Sequence, residues 1–305
     1  MSFNVPTTIY RYDVASGALN EWWRENVPAD FTRLEFHQVW YSSKDGTRVP
    51  MYLLHRRGVD LDGLPPTLLY GYGGFDASLA PFYWPLALPW IEAGGILAVA
   101  NLRGGGEFGE QWHRAGQREK KQNVFDDFIA AAQWLIANGY TSPARLAVMG
   151  GSNGGLLVGA ALTQRPDLFR AVICWAPILD MIRYHLHALG PYWIPEYGSS
   201  DDPQQFAYLR AYSPYHNVTK GTQYPAVMFV TGDADTRADP MHARKMAAAL
   251  QWASASEGRP ILLHYRAAAG HVTALPLDAA VEEAADQLAF LFRELSVKCP
   301  PEWRR

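Results

Sequence analysis

Short continuous apolar runs alternate along the chain with segments whose apolar residues recur at helical spacing. Runs of the first kind fall at residues 66–70, 96–101, 146–149, 171–175, 226–231 and 261–265. Most of them lack the polar alternation of a half-wet strand, so they predict strands covered on both faces. Residues 34–41 and 49–55 flank Lys44-Asp45-Gly46, which predicts an antiparallel hairpin. Between the runs, residues 123–138 set Val124, Phe128, Ala131, Ala132 and Leu135 along one helical face. Further helices are predicted over 154–164, 240–253 and 277–295. This alternation predicts an α/β fold, an eight-stranded, mostly parallel sheet flanked by helices.

Residues 1–30 read differently. A strand pattern at 8–14 leads into a turn at Ala15-Ser16-Gly17, and polar and aromatic residues then run to Phe31. They predict an appendage outside the main sheet, with residues 31–305 forming the principal domain. The stretch from 179 to 225 is long, aromatic and irregular, and such segments between strands often cover an active site.

Composition narrows the function classes. In 305 residues, 27 Lys and Arg face 30 Asp and Glu, a formal charge of −3. No basic excess is there to bind phosphates, so nucleic acid is not an expected partner. With 49% hydrophobic and 19% charged residues, the chain reads as globular rather than disordered. Two cysteines, Cys174 and Cys299, make no disulfide framework and no C-x-x-C site. Residues 1–10 lack the pattern of a secretory leader. The most apolar stretch, 84–100, is interrupted by Pro85, Pro89 and Glu92, a poor membrane span. A cytoplasmic protein is therefore expected. No H-E-x-x-H spacing occurs, so no metal is expected. Arg103-Gly104-Gly105-Gly106 follows a strand but lacks the G-x-G-x-x-G spacing of a dinucleotide fold, so no cofactor is expected and the loop reads as support for a site.

The chemistry is carried by Gly150-Gly151-Ser152-Asn153-Gly154, a G-x-S-x-G motif between a predicted strand and a predicted helix. That context turns a glycine-rich turn with an incidental serine into a nucleophile elbow, the mark of the α/β-hydrolase fold. A serine needs a base, and in this fold the acid and then the histidine follow it in the chain. His271, in Ala268-Ala269-Gly270-His271-Val272, lies just beyond the last predicted strand, whereas His264 lies within that strand and His242 at a helix start. The acid belongs after the strand at 226–231, where Asp233, Asp235 and Asp239 compete. Spacing does not choose among them, although Asp239, just before Pro240, is the best helix cap. The oxyanion needs two donors. One is expected from the N–H of Asn153 and the other from the glycine-rich loop Tyr70-Gly71-Tyr72-Gly73-Gly74-Phe75, where the Tyr72 hydroxyl is available.

Together, these motifs resemble the prolyl oligopeptidase family of serine peptidases, from about residue 41 to the last helix. The resemblance implies that Asp235 is the catalytic aspartate and that Arg237 binds a substrate carbonyl. It implies that Tyr72 and the Asn153 amide form the oxyanion hole. Trp193 would stack on a substrate proline, with Phe75, Ile178 and Tyr197 lining the same pocket. Ala238 and Asp239 depart from the small aliphatic residues usual after the arginine. Full-length members carry a β-propeller before the hydrolase domain, and the chain begins near what resembles its last blade. The surface that a propeller would cover is then expected to be open, and a homo-oligomer covering it is one expectation. The expected activity is cleavage of short peptides after proline. A carboxylesterase acting on small esters with the same triad is the alternative, and a non-catalytic binding module is a third reading.

Overall fold

The computed structural model describes residues 2–62, 64–271, 275–300 and 303; positions 1 and 272, both within segments read above, lie outside them. Its strands are β1 (Thr8–Tyr12), β2 (Leu19–Arg24), β3 (Leu34–Ser42), β4 (Arg48–Arg56), β5 (Thr67–Gly71), β6 (Ile96–Ala100), β7 (Leu146–Gly151), β8 (Ala171–Trp175), β9 (Ala226–Gly232) and β10 (Ile261–Arg266). Its helices are α1 (Ala87–Glu92), α2 (Glu110–Arg114), α3 (Gln122–Ala137), α4 (Asn153–Gln164), α5 (Ile194–Tyr197), α6 (Pro203–Tyr212), α7 (Met241–Ala253) and α8 (Leu277–Glu294).

The eight strands from β3 onward form one sheet in the order β10-β9-β8-β7-β5-β6-β4-β3. The pairs β3–β4 and β4–β6 are antiparallel, and the remaining neighbours are parallel. The apolar runs of β5 to β9 are continuous because each of these strands feeds two cores, whereas the edge strand β10 packs only Ile261 and Leu263 against one. On β7, Leu146 and Val148 enter one core while Ala147 and Met149 enter the other. On β9, Val227 and Phe229 point one way, and Ala226, Met228 and Val230 the other. Helices α3, α4 and α7 supply the first core, and α1 and α8 the second. Burying each of the Leu, Val, Met and Phe side chains among these stabilises the fold by about 1.5–3 kcal/mol.

The antiparallel hairpin expected around Lys44-Asp45-Gly46 is β3–β4. The predicted face of α3 is buried throughout, and Phe125 and Asp127 are buried with it. The N-terminal segment holds, besides the expected strand, a second one that the sequence pattern does not show. Strand β2 pairs only with β1, in a separate two-stranded sheet, and all six of its residues are exposed. A strand with neither face buried carries no alternation to detect. Helix α1 also went unread, because Pro89 sits within it. Proline is tolerated there because the first turn of a helix leaves its N–H groups without intrahelical partners. Among the described residues, no helix is long and apolar enough to cross a membrane.

Candidate active site

The parallel strands all end at one edge of the sheet, so the loops after β5, β7, β9 and β10 converge there. Ser152 lies between β7 and α4 with φ 56° and ψ −116°, a positive-φ conformation that costs a residue with a Cβ about 1–3 kcal/mol. The turn is held from both sides. The Ser152 N–H donates to the Trp175 carbonyl at 2.8 Å, and the Ser152 carbonyl accepts from Gly155 N at 2.9 Å. A Cβ on Gly150 would run into the Gly154 carbonyl, and one on Gly154 would lie 2.8 Å from the Gly71 oxygen. Glycine is required at both places for the elbow to close.

His271 Nε2 lies 3.0 Å from Ser152 Oγ, and its Nδ1 lies 2.8 Å from Asp235 Oδ2. The three aspartates that the sequence left in competition take three different tasks. Asp235 is buried and divides its oxygens: Oδ1 accepts the N–H groups of Arg237 and Ala238, both at 2.9 Å, and Oδ2 faces the imidazole. Asp233 Oδ1 accepts the Ala268 N–H and so ties the histidine loop to the aspartate loop. Asp239 Oδ1 accepts from Met241 N at 2.8 Å, at the start of α7. The other two histidines considered have structural partners. His264 pairs with Asp286 at 3.2 Å. His242 is buried, a position that drives its pKa down to about 4, and its neutral Nδ1 accepts the N–H groups of Leu179 and Asp180.

Tyr72 follows β5 and shares a cavity with Ser152, His271 and Arg237. Burial, above all, pushes its hydroxyl pKa up to about 12, so it stays protonated and able to donate at neutral pH. Asn153 contributes more than a backbone amide. Its side-chain Nδ2 donates to the Tyr72 carbonyl at 2.5 Å, and its Oδ1 accepts the Tyr197 hydroxyl at 2.8 Å. The residue after the serine thus clamps the Tyr72 loop to the aromatic wall behind it.

That wall consists of Phe75, Trp193 and Tyr197. Phe75 meets Tyr197 edge-on at 5.5 Å between ring centres, and Trp193 at 6.3 Å. Trp193 is half-buried, whereas Tyr197 and Ile178 are fully buried and back the wall from the core. These four residues lie on the α3–α4–α7 side of the sheet. They do not line the cavity of about 480 Å³ beside Ser152, which opens on the other side.

A buried charge cluster, which sequence reading missed, stands behind the oxyanion loop. Lys121 Nζ donates to the Gly73 carbonyl at 2.9 Å and lies 3.3 Å from Glu196 Oε1. The same Glu196 oxygen accepts the Phe75 N–H, and His113 Nε2 lies 2.8 Å from its Oε2. Burial would raise the Glu196 carboxyl, but the Lys121 ammonium, His113 and the Phe75 N–H hold it below its ordinary range. Burial lowers the Lys121 pKa in turn. The one signal in the sequence was a charged residue, Glu196, amid Trp193-Ile194-Pro195 and Tyr197. The loop at 103–106 packs against the loop after β5. Gly104 accepts from Asp76 N at 3.2 Å, and Arg103 is anchored to buried Asp127 at 2.6 Å and to Asp45 at 2.5 Å. Among the described residues no cluster of His, Cys, Asp and Glu could hold a metal ion.

This arrangement can move a proton from Ser152 Oγ to His271 and hold the resulting imidazolium against a carboxylate. Comparison with known proteins agrees with that chemistry. The family model described as the prolyl oligopeptidase family matches residues 82–298. A prolyl endopeptidase of Elizabethkingia meningoseptica is 43% identical over 298 residues, covering 97% of this chain and 42% of that protein. A solved structure from a study of two prolyl endopeptidases superposes with a TM-score of 0.95 at 51% identity, covering 98% of this chain and 44% of the other. Prolyl oligopeptidase B of Galerina marginata, solved with a 35-residue hydrolysis and macrocyclization substrate, gives a TM-score of 0.94 at 38% identity, over 98% and 43%. The chain spans about two-fifths of the length of these relatives.

Proposed function

The chain belongs to the prolyl oligopeptidase family, and from that premise we propose that it is a serine peptidase that cleaves short peptides after proline through an acyl-enzyme. The observation that carries this reading is the continuous line Ser152 Oγ–His271 Nε2 and His271 Nδ1–Asp235 Oδ2, at 3.0 and 2.8 Å, set on a strained elbow. In the first step His271 takes the Ser152 proton as Oγ bonds to the substrate carbonyl carbon. Tyr72 and the Asn153 N–H stabilise the oxyanion, and Asp235 holds the imidazole in the required tautomer. The C–N bond then breaks, and His271 gives its proton to the leaving amine. Water, deprotonated by the same histidine, releases the acid in the mirror-image second step.

The Phe75–Trp193–Tyr197 wall is the proline pocket in this reading, with Ile178 behind it and Arg237 holding a substrate carbonyl. A flat ring such as Trp193 suits a pyrrolidine, which brings apolar surface and little conformational entropy to lose. The carboxylesterase alternative uses the same triad but gives this wall no task, and the relatives named above are peptidases. The test compares a blocked Gly-Pro chromogenic amide with a short-chain p-nitrophenyl ester on one preparation, with Ser152→Ala as the blank. Turnover of the amide that is lost in Ser152→Ala is the expected result. Ester turnover alone would overturn the peptidase reading, and fluorophosphonate labelling of Ser152 would still report whether the triad is intact.

A further inference from the structure

The cavity of about 480 Å³ beside Ser152 is lined by Ser152, Tyr72, His271 and Arg237, which the mechanism above uses, and by an apolar wall to which it gives no task; its size is typical of sites that enclose a small-molecule ligand. Its apolar wall is formed by Tyr70, Trp84, Met149 and Trp175, with Ala280 and Ala284 of α8 opposite. The four wall residues pack with the α1–α8 core, on the face of the sheet opposite the Phe75–Trp193–Tyr197 wall. Ser152 stands at the sheet edge between the two. We propose that this cavity is the subsite for the residue that follows the scissile bond, and that it selects a large apolar side chain there.

The direction follows from the proton. His271 must deliver it to the leaving nitrogen, so that nitrogen lies on the histidine's side of Ser152, and His271 itself lines this cavity. With the acyl group against Trp193, the chain beyond the nitrogen points into the cavity. The chemistry of the walls sets the preference. Their side chains are aromatic or aliphatic, and Ala280 and Ala284, one turn apart on α8, leave the volume open. The one charged group on this helix face, Glu283, already pairs with Arg266 at 3.1 Å and accepts from Gln287 at 3.4 Å. A cationic side chain would have to compete with Arg266 for Glu283 and would meet Arg237 on the cavity lining; an anionic one would meet Glu283 and would have to draw Arg237 from the substrate carbonyl it is proposed to hold. The inference rests on the peptidase reading for its direction, while the cavity's preference for an apolar group can be measured without any turnover.

The experiment therefore has two arms on the same chain. In the first, calorimetric titration compares L-phenylalaninamide with glycinamide as stand-ins for the leaving amine. In the second, kcat/KM is compared for two blocked, internally quenched peptides that carry Phe or Gly after the Gly-Pro pair. Phenylalaninamide is expected to bind at least tenfold more tightly than glycinamide, and the Phe peptide to be preferred at least tenfold. Ala284→Phe, which fills the cavity from a half-exposed helix face, should bring both ratios close to one. Ala280→Phe is an independent second variant at an exposed position. Ratios near one in the unmodified chain, or ratios unmoved by both variants, would overturn the proposal. If neither peptide is cleaved but phenylalaninamide binds selectively, the peptidase reading fails and takes the leaving-side assignment with it, and only the cavity's preference for an apolar group stands. If both are cleaved alike and both amides bind alike, the cavity assignment fails and the peptidase reading stands.

Discussion

Replacing Asp235 by asparagine is the sharpest test of the proposed mechanism, because the structure dictates how the new side chain must sit. Oδ1 of Asp235 accepts two backbone N–H groups, from Arg237 and Ala238, each at 2.9 Å. Only the carbonyl oxygen of an asparagine can take that place, since an NH2 group there would face two donors. The NH2 group must then occupy the Oδ2 position, 2.8 Å from His271 Nδ1. Nδ1 becomes an acceptor, and the ring proton moves to Nε2, 3.0 Å from Ser152 Oγ. The nitrogen that should take the serine proton already carries one. In a serine protease where a buried aspartate holds the histidine in this way, the same change lowers kcat about 10⁴-fold, equivalent to about 5–6 kcal/mol of transition-state stabilisation. A loss of that size is expected here in kcat for a blocked Gly-Pro anilide, with little change in KM. Asp233→Asn is the control. Its carbonyl can still accept the Ala268 N–H, so a loss of less than about tenfold is expected. Equal losses in the two variants, or an Asp235→Asn enzyme within tenfold of the parent, would refute the assignment of Asp235 and the tautomer argument with it.

Four further outcomes are expected. Tyr72→Phe should lower kcat by about 10²–10³-fold, the usual effect of removing one oxyanion donor, with the ester and amide substrates affected alike. Trp193→Ala should weaken kcat/KM for the proline amide at least tenfold more than for a simple ester; parallel losses would remove the proline-pocket reading. Lys121→Met leaves Glu196 buried without its ammonium partner, and urea unfolding should show a loss of about 3–5 kcal/mol, part of which Glu196→Gln in the same chain should recover. His242 supplies the pH dependence. Its pKa is about 4 in the folded chain against an ordinary 6.5, so the unfolded chain binds the proton first. Its contribution is fully present above pH 6.5 and drains away as pH falls toward 4, by about 3 kcal/mol in all. His242→Gln keeps an acceptor for Leu179 N and Asp180 N, so its unfolding midpoint should fall less between pH 7 and 5 than that of the parent.

The parts of the fold and site that were legible in the sequence share a physical cause. A strand buried on both faces writes its presence into consecutive residues, and so β5 to β9 could be read from local pattern alone, whereas β10, at the sheet edge, exposes Leu262 and Tyr265. The elbow was readable because its residues are contiguous: Gly150 is forced by a clash with the Gly154 carbonyl four residues on, although Gly154 is forced by the distant Gly71 carbonyl. His271 could be singled out because it follows the last strand directly. What could not be read depends on chain segments that meet only in three dimensions. Asp239 could be read as a helix cap, but Asp233 and Asp235 are chemically equivalent in one short loop, and only their distant partners, Ala268 and His271, separate them. Lys121 resembles any solvated lysine beside Lys120, until Gly73 and Glu196 arrive from 48 and 75 residues away. Strand β2 is the opposite case, a strand with no buried face and therefore no pattern to read.

This division bears on how the site is built. Ser152, Tyr72, Arg237 and His271 sit on loops that follow strands, where the backbone is anchored by sheet hydrogen bonds and little conformational freedom remains to be lost, whereas Trp193 stands in the long segment between β8 and β9. The groups that hold those loops in place are drawn from α2, α3, α5 and the start of α4: His113, Asp127, Glu196 and Asn153. Two of these four, Asp127 and Glu196, are buried carboxylates that bind loop backbone N–H groups, those of Arg103 and Phe75. A buried carboxylate is costly unless its oxygens are satisfied, so each ties its loop to one position and resists its displacement. The oxyanion loop is thus fixed from beneath by charge and from the side by Asn153, and its glycines give the close approach while its neighbours supply the rigidity. An elbow serine under strain needs such a frame, because the conformation that exposes Oγ is stable only while every surrounding contact is made.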